Sequence, residues 1–162
     1  MERQMIRCTF HLNGGQLSNL SCPGIGFFPA YSGNAGQHRN NPDSVAVKNI
    51  GPLPPGKYYI VDRPRSIGTH VKDYFATKYT LSDHSTWFAL YRDDKSIDDI
   101  TFIDEVARGN FRLHPAGWAG ISNGCITLPS PAHFHILREA LLNTPKMLVT
   151  ASLFAYGTIQ VY

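Results

Sequence analysis

Fourteen glycines and eleven prolines punctuate this chain of 162 residues and cut its apolar segments into short pieces. Gly and Pro bound strands and break longer regular elements, so the pattern predicts a loop-rich, mostly β protein of the sandwich or barrel type. Residues 4–12 and 16–21 read as a hairpin turning at Asn13-Gly14-Gly15, with Ile6, Cys8, Phe10 and Leu12 sharing one face. Further strands are expected over 24–31, 57–62, 87–91, 110–114, 147–153 and 157–162, with residues 63–84 irregular. Gly51-Pro-Leu-Pro-Pro-Gly56 reads as a rigid turn, because proline fixes φ. One helix is expected: Ser130 is an N-cap, Pro131 takes the first helical position, and Phe134, Leu137 and Leu141 recur on one face. No repeat, linker or low-complexity stretch divides the chain, so residues 1–162 are expected to form a single domain.

Charged residues make up 17% of the chain and apolar residues 43%, which argues against disorder. A chain of this length can bury a sizeable core without a metal or disulfide staple. The net charge of +3 is scattered, with no basic stripe, so nucleic acid is not expected as a partner. A mildly basic surface suits an anionic polymer such as cell wall. No apolar run is long enough to span a bilayer, so no membrane insertion is expected. The start, MERQMIRCTFHLNGG, carries neither an apolar run of signal-peptide length nor a cleavage site, so the chain is expected to be made in the cytoplasm without a signal peptide.

Three cysteines, at 8, 22 and 125, leave at least one free thiol. Cys8 reads as core packing. A Cys8–Cys22 bridge requires the first two strands to pair around Gly14-Gly15, and spacing alone leaves that open. His11, His38, His70 and His84 lack metal-ligand spacing, and His133 and His135 stand two apart on the helix, so no metal site is expected.

The chemistry concentrates in Phe111-Arg-Leu-His-Pro-Ala-Gly-Trp-Ala-Gly-Ile-Ser-Asn-Gly-Cys-Ile-Thr-Leu128. A strand delivers His114, and a loop with Gly117, Gly120 and Gly124 turns back to present Cys125 at the start of another strand, pointing away from the face of Ile126. A thiol nucleophile needs a base within hydrogen-bond reach and N–H donors for its oxyanion. His114 is the candidate base, and the Gly124 and Cys125 amides are the candidate donors. On chemistry alone, a buried cysteine beside a structural histidine is the competing reading.

This segment resembles the signature of the L,D-transpeptidase catalytic domain (YkuD-like), in which a His strand is followed by a Ser-x-Gly-Cys turn. Tyr31-Ser32-Gly33, Gly51-Pro-Leu-Pro-Pro-Gly56-Lys-Tyr-Tyr-Ile60 and Trp87-Phe-Ala-Leu-Tyr91 extend the likeness over about residues 24–130. His114-Pro115-Ala116-Gly117 with Ser122-Asn123-Gly124-Cys125-Ile126 is similar to small, signal-less members exported by type VI secretion as antibacterial effectors. The resemblance implies a cysteine enzyme without cofactor or metal that attacks the L,D bond between meso-diaminopimelate and D-alanine in peptidoglycan stems. Its products would be those of an L,D-carboxypeptidase or of D-amino-acid exchange. It also implies a cognate immunity protein, a secretion-apparatus partner, and action in the periplasm of a target bacterium.

Two positions depart from housekeeping transpeptidases. Asn123 stands where a His is common, and Thr127 where an Arg is common, which removes a bidentate carboxylate clamp. Ordinary wall crosslinking is thereby disfavoured, as is a merely wall-binding module, which has no need of a thiol in a glycine turn. Around the pair, Ser122 either orients His114 or bonds its own turn. Arg112 shares the face of His114 and either binds a substrate carboxylate or pairs with an acid of the chain. Tyr31, Ser32, Asn123 and Thr127 are candidate cleft residues, and Trp118 is either a lid or a packing anchor.

Overall fold

The computed structural model describes residues 5–64, 84–116 and 124–162. Eight strands close into a barrel: β1 (Ile6–Phe10), β2 (Ser18–Cys22), β3 (Gly26–Ser32), β4 (Gly56–Asp62), β5 (Phe88–Arg92), β8 (Arg112–Pro115), β9 (Ile126–Leu128) and β12 (Gly157–Val161). Their order around the barrel is β1-β12-β4-β5-β8-β9-β3-β2. Neighbours are antiparallel except for β1 with β12 and β8 with β9, which run parallel. Closure leaves this sheet no free edge.

Alternation explains the barrel. Phe10, Leu20, Ile60, Leu90, Leu113, Ile126 and Ile159 are buried together inside it, while the residues between them face outward. The helix α1 (Pro131–Leu142) packs Phe134, Leu137 and Leu141 into the same core. Its expected cap is present: the Ser130 hydroxyl accepts the His133 N–H at 3.2 Å. None of the helices among the described residues is long and apolar enough to cross a membrane.

Cys8 and Cys22 form a disulfide across β1 and β2, so Cys8 is both core residue and cross-link. The hairpin that the bridge requires is formed, pairing Thr9 with Ser21 and Phe10 with Leu20.

Two expectations about elements change. The strand expected over 147–153 is instead a small hairpin of β10 (Met147–Leu148) and β11 (Phe154–Ala155), with residues 149–153 between them. A second hairpin, β6 (Ile100–Ile103) with β7 (Val106–Gly109), was not expected. Its turn residues Asp104 and Glu105 both adopt positive φ (48° and 65°), a geometry usually signalled by Asn-Gly or Asp-Gly. Most of the segment expected to be irregular, 63–84, lies outside the described residues.

The turn over residues 51–56 shows how sequence sets a local need that distant residues meet. Pro52, Pro54 and Pro55 offer carbonyls but no N–H groups. Three side chains serve those acceptors: Arg108 donates to Gly51 O at 2.9 Å and Pro52 O at 3.1 Å, Tyr58 to Pro54 O at 2.7 Å, and Arg92 to Pro55 O at 2.7 Å. Gly51 itself admits no side chain, since a Cβ there would meet the Ser44 carbonyl oxygen.

Candidate active site

The parallel pairing of β8 and β9 sets Leu113 beside Ile126 and His114 beside Thr127. Leu113 and Ile126 point into the core. Arg112, His114, Cys125 and Thr127 therefore share the opposite, outward face of two adjacent strands. Tyr31 of β3 pairs with Thr127 from the other side and lies on that face too. The face is not open surface: His114 is 4% exposed and Cys125 8%.

His114 is held on three sides. Its Nδ1 lies 2.7 Å from the Pro115 carbonyl oxygen. A carbonyl only accepts, so Nδ1 carries the proton and Nε2 of the neutral ring holds the lone pair. Nε2 lies 3.3 Å from the Thr127 hydroxyl. The Trp87 indole stacks on the imidazole with ring centroids 4.2 Å apart and planes 20° from parallel.

Cys125 stands outside the Cys8–Cys22 disulfide. Its thiol donates to the Asn110 carbonyl at 3.8 Å. Burial pushes its pKa up to about 11, against the opposing pull of the Arg112 backbone N–H and of the Arg112 and Arg108 guanidinium charges. The resting group is a thiol, and for the sulfur to act as a nucleophile a base would have to take its proton.

Arg112 has its carboxylate within the chain: its two terminal nitrogens meet the Asp99 oxygens at 2.7 and 2.8 Å. Of the two readings of this residue, the structure shows the internal pair. Ser32 is fully buried, and its hydroxyl accepts the Leu53 N–H at 2.8 Å, so it braces the 51–56 turn. Tyr31 is buried, with the Arg39 guanidinium 3.9 Å from its ring centre. Gly117, Trp118, Gly120, Ser122 and Asn123 lie outside the described residues.

A family model described as the Tlde1 domain, a type VI secretion L,D-transpeptidase effector domain, matches residues 26–152. The chain belongs to this family. No curated protein and no solved structure matches it. The Tlde1 match includes the whole β8–β9 pair, whereas β1, β2 and β12, three of the barrel strands, lie beyond its ends. Membership identifies a type VI effector family with cell-wall activity.

Within this Tlde1 domain one residue near the site escaped the sequence reading. Arg108 is 3% exposed, and its guanidinium donates to the carbonyls of Val45, Gly51 and Pro52. It also abuts the turn before the cysteine. Gly124 sits at φ +92°, and a Cβ there would come within 2.6 Å of Arg108 Nη2 and 2.8 Å of Phe111 Cε1. Arg108 thus ties the proline turn to the Gly124-Cys125 turn and places a positive charge near the sulfur. The available signal was the surplus of carbonyls in the proline turn, which demands donors without naming them.

Proposed function

We propose that this chain is a cysteine enzyme that cleaves the L,D bond between meso-diaminopimelate and D-alanine of tetrapeptide stems, with Cys125 as nucleophile and His114 as base. The observation that carries the reading is the β8–β9 register, which puts thiol and imidazole on one face, with the imidazole proton fixed on Nδ1 by Pro115. The 3.3 Å contact of Nε2 with Thr127 is long, so Nε2 can exchange it for the thiol proton.

The sulfur attacks the diaminopimelate carbonyl while its proton passes to His114 Nε2. The oxyanion is met by the Gly124 and Cys125 N–H groups. His114 then gives the proton to the departing amine of D-alanine, leaving a thioester on Cys125. Water, deprotonated by His114, attacks the thioester and frees the tripeptide, and the proton returns to the sulfur. An incoming D-amino acid in place of water gives exchange. Ser122 is proposed to orient His114, and Tyr31, Asn123, Trp118 and Thr127 to border the cleft. No cofactor or metal enters this scheme.

Family membership supports delivery by type VI secretion into a target periplasm and the need for an immunity protein and a secretion-apparatus partner. The Cys8–Cys22 disulfide suits an oxidising compartment of that kind.

The test is a muropeptide digest. Wild type and Cys125→Ala are incubated with tetrapeptide stems, with and without an added D-amino acid, and the products are weighed. Loss of D-alanine with wild type alone is expected, together with a heavier adduct when the D-amino acid is present. Unchanged stems with folded wild type would defeat the enzyme reading in favour of a wall-binding module.

A further inference from the structure

Trp87 reaches His114 from the strand on its other side. β5 pairs with β8 antiparallel, setting Phe88 beside Leu113 and Ala89 beside Arg112. Phe88 and Leu113 are both buried in the core. One step along each strand, Trp87 comes alongside His114 on the opposite face, as Thr127 does from β9. The two rings meet face to face, with centroids 4.2 Å apart and planes 20° from parallel.

The proposed reaction puts a charge on this imidazole. When Nε2 takes the Cys125 proton the ring becomes a cation, and it stays one until the proton passes to the departing amine. The in-plane contacts already described, with the Pro115 carbonyl and the Thr127 hydroxyl, are with uncharged groups. The indole lies against the ring face instead. An aromatic face is the negative side of its quadrupole, and it attracts a cation within about 6 Å, tryptophan most strongly. His114 is buried and Trp87 half-buried, so water screens this attraction little.

We infer that Trp87 is a positioning residue for His114, whose indole face stabilises the imidazolium formed as the thiol proton is taken and, through the same contact, holds the plane of the ring. The inference rests on the proposed cleavage reaction and concerns its proton transfer. Other ionisable groups near this pair are Cys125 and Arg112, which share the face of His114, Asp99, which pairs with Arg112, and Arg63, 5.9 Å from the indole centre. They are the same in every variant below, so the comparison reads position 87 alone.

The test uses the full chain with side chains exchanged at that position. Trp87→Leu removes the stacked ring, and Trp87→Phe keeps a smaller one. Mono-, di- and trifluorinated tryptophans incorporated at position 87 keep the indole shape while withdrawing electron density from its face, so they separate charge from packing. In the first measurement, kcat and KM on a tetrapeptide stem are determined per folded molecule. Trp87→Leu should lower kcat about 2- to 30-fold, the range of a cation–π contact, with KM little changed. Trp87→Phe should lose less, and the fluorinated series should lose kcat stepwise. The second measurement needs no turnover: the ring-nitrogen resonances of His114 are followed against pH. The change from neutral to protonated ring should move to lower pH in Trp87→Leu and, stepwise, along the fluorinated series. Either readout left unmoved by fluorination overturns the inference, and turnover by the wild type then shows that the reaction itself stands. If the folded wild type turns nothing over, the cleavage reading falls and the titration alone decides the stack: steps with fluorination uphold it, and their absence overturns it.

Discussion

Burial raises the Cys125 thiol to about 11 from an ordinary 9.0, so the thiolate fraction near neutral pH is very small. Alkylation of Cys125 by iodoacetamide should therefore be slow at pH 7 and accelerate about tenfold per pH unit through pH 8–10, levelling only near 11. A plateau near pH 7 in the free protein would contradict this. The same shift bears on stability. The folded protein keeps a proton that the unfolded chain releases, so stability is full below pH 9 and declines as pH rises from 9 towards 11, by about 3 kcal/mol from this group. At Gly124, alanine would need φ +92° and would place its Cβ 2.6 Å from Arg108 Nη2. Gly124→Ala should destabilise the fold by about 1–3 kcal/mol or more and depress turnover, because the turn that seats Cys125 must shift. Denaturant titration and the muropeptide assay read the two effects separately. His114 and Cys125 could be singled out as candidates because their residue types and the glycines between them are local signals. Arg108 was not, because what makes it matter, the orphan carbonyls of residues 45–52, lies more than fifty positions away.

At the scale of elements, period-two alternation identified most barrel strands, since each has a core face and an outward face. The helix was legible from its cap, from Pro131 and from the spacing of Phe134, Leu137 and Leu141. The β6–β7 hairpin was hidden because its turn places Asp104 and Glu105 at positive φ without a glycine. Strand order was equally out of reach, for nothing local announces that β8 and β9 run parallel. That pairing has a consequence for the site. It lets Thr127, on the neighbouring strand, hold the Nε2 edge of His114 while Pro115, the next residue on β8, holds Nδ1. Thr127→Val keeps the packing and removes the hydroxyl. It should lower turnover about 3- to 10-fold, with Thr127→Ser close to wild type, if the hydroxyl fixes the ring plane. Equal rates for Val and Ser would show that stacking on Trp87 suffices.

For the molecule as a whole, the two ends of the chain close the barrel. β1 lies parallel to β12, pairing Ile6 with Gly157 through Phe10 with Val161, so the last strand joins the first. Such long-range pairing gains nothing until the intervening chain is in place, and closing long loops costs entropy. The Cys8–Cys22 bond offsets part of this by holding β1 on β2, across a sequence separation of 14 residues. A loop of that size is worth about 3 kcal/mol in the chain-entropy account. Around the barrel, β8 lies directly opposite β1, and β9 is separated from β2 by β3. The cross-link should therefore govern how much of the protein is folded and leave the chemistry of the folded fraction unchanged. Reduction, or the Cys8→Ala/Cys22→Ala double variant, should lower Tm by roughly 6–12 °C. The rate per folded molecule at 25 °C should stay near wild type. Calorimetry with and without reductant checks the first statement, and turnover normalised to folded protein checks the second. An unchanged Tm would mean that core packing alone secures the β1–β2 seam. A lowered rate at full folding would mean that strain at the seam reaches β8 and β9 through the barrel, and that the closing strands help shape the site.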